Sequence, residues 1–554
     1  MSYLKKYQFW LNQKDLDPTL LNELISLNEE QIEEVFGTDL SFGTGGLRGL
    51  LGVGSNRVNI YTIRKATLGF ARYIKKNHIP GNVAIAYDNR HFSKEFAKEA
   101  AMVLAAQGIG SYVYQDLRPT PMLSYAVRYF KCAGGIMITA SHNPKSYNGY
   151  KAYDQTGAQL NPKDADRVID EINQVDNPFE IETIENDLIQ YIDLSMDDVY
   201  LNEVKTIQLN KVDKPVKIVY SPLHGTGKDI IPKLLKDEGY LVYPYTPQMI
   251  ADPNFSNTDS SNPEEKEAYI GSISYAKEIN APVVMVTDPD ADRLGIAVYH
   301  DGEYHLLSGN QTATIELYYI LTQLKAQNKL PKNGFVYTTN VTTDMIKTIA
   351  TDFNIEVQTT LTGFKFIGEL AELNQDKGPY IFGCEESYGS LIKDFVRDKD
   401  AVQAVYMLAE IVNYVDAKGQ TLIDYLDEIY QTYGYYYEYT ASFMFQGLSG
   451  IEKMNQMMDH YRKNPPQIES KKLLAYDDII SSIRFENGVE TKLDYPKSNV
   501  LKYYYEDNTW IVFRPSGTEP KLKVYLGTKD QSMEKAKTFV HQTSDQLKKQ
   551  IDAL

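Results

Sequence analysis

The segment Asp288-Pro289-Asp290-Ala291-Asp292-Arg293-Leu294-Gly295 places three carboxylates at alternate positions directly after the apolar run Val283 to Val286. In an extended chain, residues two apart point to the same side, so the three acids would converge. Hard anionic oxygens with no Cys or His among them suit Mg²⁺ better than zinc. A calcium EF-hand loop matches poorly, because it needs Gly at its sixth position and Glu at its twelfth, where this chain has Arg293 and Tyr299. The plainer reading is a solvated acidic turn, but three clustered carboxylates repel one another unless a cation relieves them.

A second loop, Thr139-Ala140-Ser141-His142-Asn143-Pro144, follows the apolar run Ile136 to Ile138 and precedes Tyr147-Asn148-Gly149-Tyr150-Lys151. Small neighbours at a strand end would expose the Ser141 hydroxyl, with His142, Asn143 and Lys151 as donors or proton acceptors close by. The string is neither a G-x-S-x-G elbow nor an S-x-x-K motif, since Pro144 stands three after Ser141. Taken alone, it fits better a serine and an asparagine making turn hydrogen bonds.

A third loop, Arg514-Pro515-Ser516-Gly517-Thr518-Glu519-Pro520-Lys521, combines a guanidinium, two hydroxyls and backbone N–H groups around Gly517, which is a donor set for phosphate or an ordinary Pro/Gly turn. A fourth, Gly383-Cys384-Glu385-Glu386-Ser387-Tyr388-Gly389, spaces an acceptor on Glu385 two residues from the Ser387 hydroxyl, as vicinal hydroxyls of a polyol would require. Upstream of it stands Gly363-Phe364-Lys365, whose ammonium could meet a phosphate or a sugar oxygen. Neither Gly43-Thr44-Gly45-Gly46-Leu47-Arg48-Gly49 nor Gly225-Thr226-Gly227-Lys228 is a P-loop; the first lacks lysine, and the second lacks the spacing and a following Ser or Thr.

The elements that must position these loops are short β-branched runs followed by helical stretches. Val83 to Ala86 leads through Tyr87-Asp88-Asn89-Arg90 into a helical stretch from about Ser93 to Gln107, and Val216 to Tyr220 leads into one near Asp229 to Glu238. Such alternation predicts an α/β fold on mostly parallel sheets, with active groups at the carboxyl ends of strands. After about Tyr435 the pattern changes to short strands, among them Val500 to Tyr505 and Thr509 to Phe513, with a terminal helix from Ser532 onward; this reads as a smaller α+β domain.

The chain has 554 residues, enough for three or four domains at roughly 150 residues each. Its 57 basic and 74 acidic residues give a net charge of −17 with no long basic block, which argues against general nucleic-acid binding. No run of about 18 apolar residues suggests a membrane span and no signal-peptide core opens the chain, so the expected compartment is the cytoplasm. Two cysteines, Cys132 and Cys384, are too few for a disulfide scaffold and suit a reducing environment.

Together the four loops resemble those of the α-D-phosphohexomutase superfamily, in which phosphoglucomutases and phosphomannomutases share a four-domain, heart-shaped architecture of three related mixed-sheet α/β domains and a smaller C-terminal α+β domain. TASHNP resembles the family's phosphoserine loop, DPDADR its magnesium loop, GCEESYG its sugar-binding loop and RPSGTEPK its phosphate-binding loop, in that order and at domain-length spacing. FGTGGLRG extends the resemblance toward the N-terminus. It implies domains over 1–205, 206–308, 309–425 and 426–554, each carrying one loop.

It further implies that Ser141 carries a phosphoryl group against one Mg²⁺ held by Ser141, Asp288, Asp290 and Asp292, and that glucose 1,6-bisphosphate is the activator and intermediate as phosphate moves between C1 and C6. Arg48, His142 and Lys151 match positions near the phosphoserine, Lys151 as candidate general base and Arg48 as candidate stabiliser of transferring charge. Arg293, Gly363, Phe364, Lys365, Glu385 and Ser387 would bind the sugar, and Arg514, Ser516, Gly517 and Thr518 its distal phosphate. GTGGLRG, followed by Gly52-Val53-Gly54-Ser55-Asn56-Arg57, is similar to the long phosphoglucomutase and phosphopentomutase branch, which implies a glucose phosphate as substrate, with pentose or mannose phosphates as alternatives. The expected partner is thus a small sugar phosphate, with neither nucleic acid nor membrane, and the expected state is a monomer or homodimer.

Overall fold

The computed structural model describes residues 2–43, 46–445, 450–468, 471–516 and 521–553. The chain forms two compact units, one made of Met1–Gly309 with Phe364–Thr421 and the other of Asn310–Gly363 with Leu422–Leu554.

The first unit holds a six-stranded sheet in the order Gly46–Leu50, Tyr147–Tyr153, Gly134–Ile138, Val83–Tyr87, Ser111–Tyr114, Ile189–Ile192. The last four strands run parallel and the first two are antiparallel additions at one side, so the sheet is mixed, as the family resemblance implies, with parallel pairing in the majority. A five-stranded sheet repeats this plan, with Val283–Thr287, Lys217–Ser221 and Leu241–Pro244 parallel and the hairpin partners Leu294–His300 and Glu303–Leu307 antiparallel. All five residues of Val83–Tyr87, of Gly134–Ile138 and of Val283–Thr287 are buried, as expected of parallel strands covered by helices on both faces. Helices Ser93–Ala106 and Gly227–Asp237 and the strands Leu501–Tyr505 and Thr509–Pro515 stand where the apolar patterns place them.

Of three N-terminal helices, Tyr3–Leu11, Pro18–Ser26 and Glu29–Phe36, the second and third are started by ordinary capping chemistry: Asp17 accepts from two backbone N–H groups, and Asn28 and Gln31 form a capping box. Trp10 and Phe36 from these helices pack edge to face, and Trp10 meets Tyr61 and Phe179 in the same way. The helices brace the loop after Gly46–Leu50: the Asn56 N–H donates to the Val35 carbonyl at 3.0 Å and the Val53 N–H to Glu23 Oε2 at 3.1 Å.

The second unit contains the parallel pair Phe335–Thr339 and Glu356–Thr360 and a seven-stranded antiparallel sheet covered by helices Gly450–Lys463 and Met533–Ala553. Lys502, only 2 % exposed, lies within about 5 Å of the Tyr504 and Trp510 ring centroids and donates to the Asn340 carbonyl at 2.7 Å. Among the described residues no helix is long and apolar enough to cross a membrane.

Candidate active site

The acidic loop begins where buried strand Val283–Thr287 ends and returns antiparallel as Leu294–His300, so it is a hairpin turn and not an extended segment. Ala291 turns the chain in the left-handed region with φ 49°, and its N–H donates to the Asp288 carbonyl at 2.9 Å. The carboxylates therefore converge by folding of the turn, which corrects the alternation expected from sequence. Asp288, Asp290 and Asp292 are buried, and one oxygen from each lies within 4.8 Å of the others.

In Asp290 and Asp292 one oxygen is occupied and the other has no hydrogen-bond partner, while both oxygens of Asp288 accept hydrogen bonds. Asp288 Oδ1 accepts from the Asp292 and Arg293 N–H groups at 3.1 and 3.0 Å, leaving Oδ2 toward Ser141. Asp290 Oδ2 accepts from Lys151 at 2.8 Å and from Thr120 Oγ1 at 2.9 Å. Asp292 Oδ2 lies 3.3 Å from Lys151 Nζ and 3.0 Å from Lys399 Nζ. Asp290 Oδ1 and Asp292 Oδ1 are buried without a hydrogen-bond partner. Orphaned buried carboxylate oxygens are costly, and two of them in a cluster with Asp288, whose Oδ2 accepts from the Ser141 hydroxyl, fit a hard divalent cation such as Mg²⁺.

The electrostatics point the same way. Burial, reinforced by the Asp292 and Asp290 charges, pushes the Asp288 carboxyl well above the usual range. Asp292 is also pushed up by burial, but Lys399, Lys151 and Arg293 outweigh that and hold it below its usual range. Burial alone would lower the Lys151 ammonium, yet Asp290 and Asp292 keep it above the ordinary lysine value.

Ser141 sits at φ 52° immediately beyond strand Gly134–Ile138 and its two-residue extension, with its N–H on Thr139 Oγ1 at 2.7 Å. Its Oγ donates to Asp288 Oδ2 at 3.0 Å and lies 3.3 Å from His142 Nδ1. The hydroxyl is thus at a strand end as expected but is not exposed; the residue is only 2 % accessible. Burial and then the Arg293 and Arg48 guanidiniums push His142 well below its ordinary value, so its ring is neutral. Gly149 is required here, since a Cβ would stand 2.6 Å from the Thr139 carbonyl and 2.7 Å from that of Leu47. That close approach brings strand Gly46–Leu50 alongside, and Arg48 Nη1 donates to Asn143 Oδ1 at 2.9 Å.

Four functional neighbours escape the sequence patterns. Arg90 is 3 % exposed and donates to the carbonyls of Ser141, Asn143, Pro144 and Tyr147, with Asp88 as its ion-pair partner at 3.3 Å. Lys399 reaches Asp292 at 3.0 Å, Asp398 at 3.6 Å and Glu385 at 3.9 Å. Thr120 binds Asp290, and Glu264 pairs with Arg293 at 2.6 Å. A signal was present for Lys399: Arg397-Asp398-Lys399-Asp400 runs directly into the apolar helix Ala401–Asp416, where Asp400 serves as the N-cap but a cation opposes the helix dipole. Arg90 carries a weaker one, an arginine three residues beyond a wholly apolar strand.

The sugar-loop candidates Glu385 and Ser387 are hydrogen-bonded to each other at 3.2 Å. Backbone contacts hold the acidic loop from several directions: the Leu294 N–H donates to the Tyr388 carbonyl at 3.0 Å, the Ala401 N–H to the Ala291 carbonyl at 3.3 Å, and the Thr226 N–H to the Pro289 carbonyl at 2.8 Å. Gly225 is bound to be glycine, because a Cβ would lie 2.3 Å from Pro289 Cα. The GTGK string that is no P-loop thus serves as a backbone brace. Phe364 and Lys365 are buried at the start of helix Phe364–Asn374, and Gly363 before it has φ 119°.

Arg514 and Ser516 belong to the second unit, where Arg514 Nη1 donates to the Tyr525 hydroxyl at 3.3 Å and the Ser516 N–H donates to the Lys521 carbonyl at 2.7 Å. Gly517 and Thr518 lie outside the described residues.

Comparison with known proteins agrees with this geometry. Family models described as phosphoglucomutase/phosphomannomutase α/β/α domains I, II and III match residues 39–179, 198–302 and 308–433, and the C-terminal domain model matches 467–545. The chain is 36% identical over 527 residues to a phosphoglucomutase of Staphylococcus haemolyticus strain JCSC1435, covering 93% of this chain and 95% of that one. It is 38% identical over 506 residues to a phosphoglucomutase of Staphylococcus aureus strain MRSA252, covering 90% and 91%. A crystal structure of a phosphoglucomutase/phosphomannomutase family protein from Burkholderia thailandensis shares the fold, with a TM-score of 0.67 at 18% identity over 92% of this chain and 97% of that one. With all four domains matched in order and relatives aligned along nearly the whole length, the chain belongs to the phosphoglucomutase/phosphomannomutase family.

Proposed function

We propose that the chain is an α-phosphoglucomutase that interconverts glucose 1-phosphate and glucose 6-phosphate through a phosphorylated Ser141 and glucose 1,6-bisphosphate. The observation that carries the chemistry is the Ser141 hydroxyl set 3.0 Å from Asp288 within a cluster of three buried carboxylates. The choice of sugar is supported by the relatives, which are phosphoglucomutases at 36% and 38% identity.

Asp288, Asp290 and Asp292, with the Ser141 oxygen, would hold Mg²⁺, which supplies charge neutralisation on the transferring phosphoryl group. Ser141 Oγ is the atom that gives and regains the phosphoryl group. Its left-handed backbone conformation and the grip of Arg90 on its carbonyl fix the direction in which Oγ points. Arg48, partly open to solvent and held by Asn143, is placed to stabilise phosphoryl oxygens. Lys151 is the candidate proton carrier for the sugar hydroxyl, and neutral His142 is a further polar contact beside the serine. Arg293, oriented by Glu264, Lys365, Glu385 and Ser387 would contact the sugar, while Arg514, Ser516, Gly517 and Thr518 would take the distal phosphate. The compartment we assign is the cytoplasm, where a charged sugar phosphate is both made and retained.

The test is a parallel initial-rate assay with Mg²⁺ and a trace of bisphosphate, offering the 1-phosphates of glucose, mannose, glucosamine, ribose and deoxyribose. Glucose 1-phosphate is expected to lead in kcat/KM by about tenfold or more. A leading pentose phosphate would overturn the assignment of sugar and leave the phosphoserine chemistry standing. Intact-mass measurement with and without phosphatase checks that chemistry directly, and a chain that never carries a phosphoryl group would overturn it.

A further inference from the structure

Thr120 contacts the acidic loop through two atoms. Its backbone N–H donates to the Asp290 carbonyl at 2.9 Å, and its Oγ1 donates to Asp290 Oδ2 at 2.9 Å. The residue opens helix Thr120–Tyr129 between Pro119 and Pro121, so its N–H belongs to the set that finds no partner inside the helix. Both Thr120 and Asp290 are fully buried.

A carboxylate left to rotate can present either oxygen. Here Oδ2 is occupied by Thr120 Oγ1 and by Lys151 Nζ at 2.8 Å, while Oδ1 is buried with no partner at all. Lysine alone fixes the acid poorly, because its ammonium sits on a flexible stem and is shared with Asp292 at 3.3 Å. The threonine hydroxyl is short, β-branched and tied to the same residue through the backbone.

We propose that Thr120 is a positioning residue which, by occupying Asp290 Oδ2, selects Oδ1 as the oxygen offered to a divalent cation. This rests on reading Asp288, Asp290 and Asp292 as the metal site. Thr120 touches neither the reacting serine nor any substrate candidate; it acts through the ligand it orients, as outer hydrogen bonds around metal sites do.

The experiment titrates the full-length native chain and its Thr120→Val, Thr120→Ser and Thr120→Ala variants with Mn²⁺, following free ion by electron paramagnetic resonance with no sugar phosphate present. Valine keeps the shape and loses the donor, so its Kd should rise about tenfold or more, whereas serine should stay within about threefold of native. Serine and alanine differ only by the oxygen, so that pair decides the matter in the same way should the valine chain not fold. Valine and alanine variants that bind Mn²⁺ as tightly as the native chain would overturn the proposal, and so would serine losing as much affinity as valine. A native chain that takes up no Mn²⁺ would instead overturn the metal site beneath it.

Discussion

Ser141 Oγ donates to Asp288 Oδ2 at 3.0 Å across 147 positions of sequence, while the other oxygen of Asp288 is pinned by the N–H groups of Asp292 and Arg293. Nucleophile candidate and acidic loop are therefore one hydrogen-bonded unit. The serine cannot leave its place without breaking a bond to a buried carboxylate, so its position relative to the three acids is set before any substrate arrives.

Replacing Ser141 by alanine should remove turnover by roughly ten-thousandfold or more, as loss of a nucleophile does elsewhere. The same variant should lack the mass of a phosphoryl group under every condition. Rate and intact mass are read on one sample, and appreciable turnover in this variant would sink the phosphoserine mechanism.

Chelation of divalent ions should abolish turnover, and added Mg²⁺ should restore it. Because the three acids repel one another when no cation lies among them, Mg²⁺ should also raise the thermal midpoint in a concentration-dependent way. Calorimetry of the native chain with increasing Mg²⁺ checks this; a midpoint that ignores the ion would argue that the cluster is only structural.

Arg90→Met should destabilise the fold by about 3 to 5 kcal/mol, because it strips the partner from buried Asp88 and leaves four carbonyls of the serine loop without their donor. Urea unfolding measures the loss. A change below about 1 kcal/mol would mean that the loop holds its shape without the guanidinium.

Lys502 gives a pH signature. Burial lowers its ammonium from 10.5 to about 8. The unfolded chain therefore binds more protons than the folded one between those values, so stability rises with pH across that window and is lost as pH falls through about 8. The full effect is on the order of 3 kcal/mol, and Lys502→Met should not show it. Denaturant midpoints at pH 7 and pH 10, read from Trp510 fluorescence with Trp10 replaced by phenylalanine, give the comparison; parallel pH profiles for both chains would refute it.

Much of this was legible in the residues. The buried strands before the loops at 139–144 and 288–295 are uniformly apolar and announce themselves, and so does the acidic triad. The mixed character of the sheets was legible only through the family resemblance and not in local patterns, since the antiparallel strands Gly46–Leu50 and Tyr147–Tyr153 are set by pairing across 101 positions and not by local preference. The turn at Ala291 was hidden for a related reason: a left-handed alanine is disfavoured locally and survives because hydrogen bonds from other segments fix the loop. Arg90 reaches the serine loop, and Thr120, Lys399 and Glu264 the acidic loop, across 29 or more residues, a distance at which no spacing rule operates.

The brace from Ala401 to Ala291 has a meaning in time as well as in space. About 110 residues separate Ala291 from Ala401, and at roughly 5–20 residues per second a ribosome needs on the order of 5 to 22 s to span them. Until then the acidic hairpin lacks the last made of the four backbone bonds that tie it to Thr120, Thr226, Tyr388 and Ala401. A nascent chain has its serine and all three aspartates long before it has the segment that returns to hold them, so competence at this centre is a late event of synthesis, reached only after the polypeptide has left the first unit and come back to it.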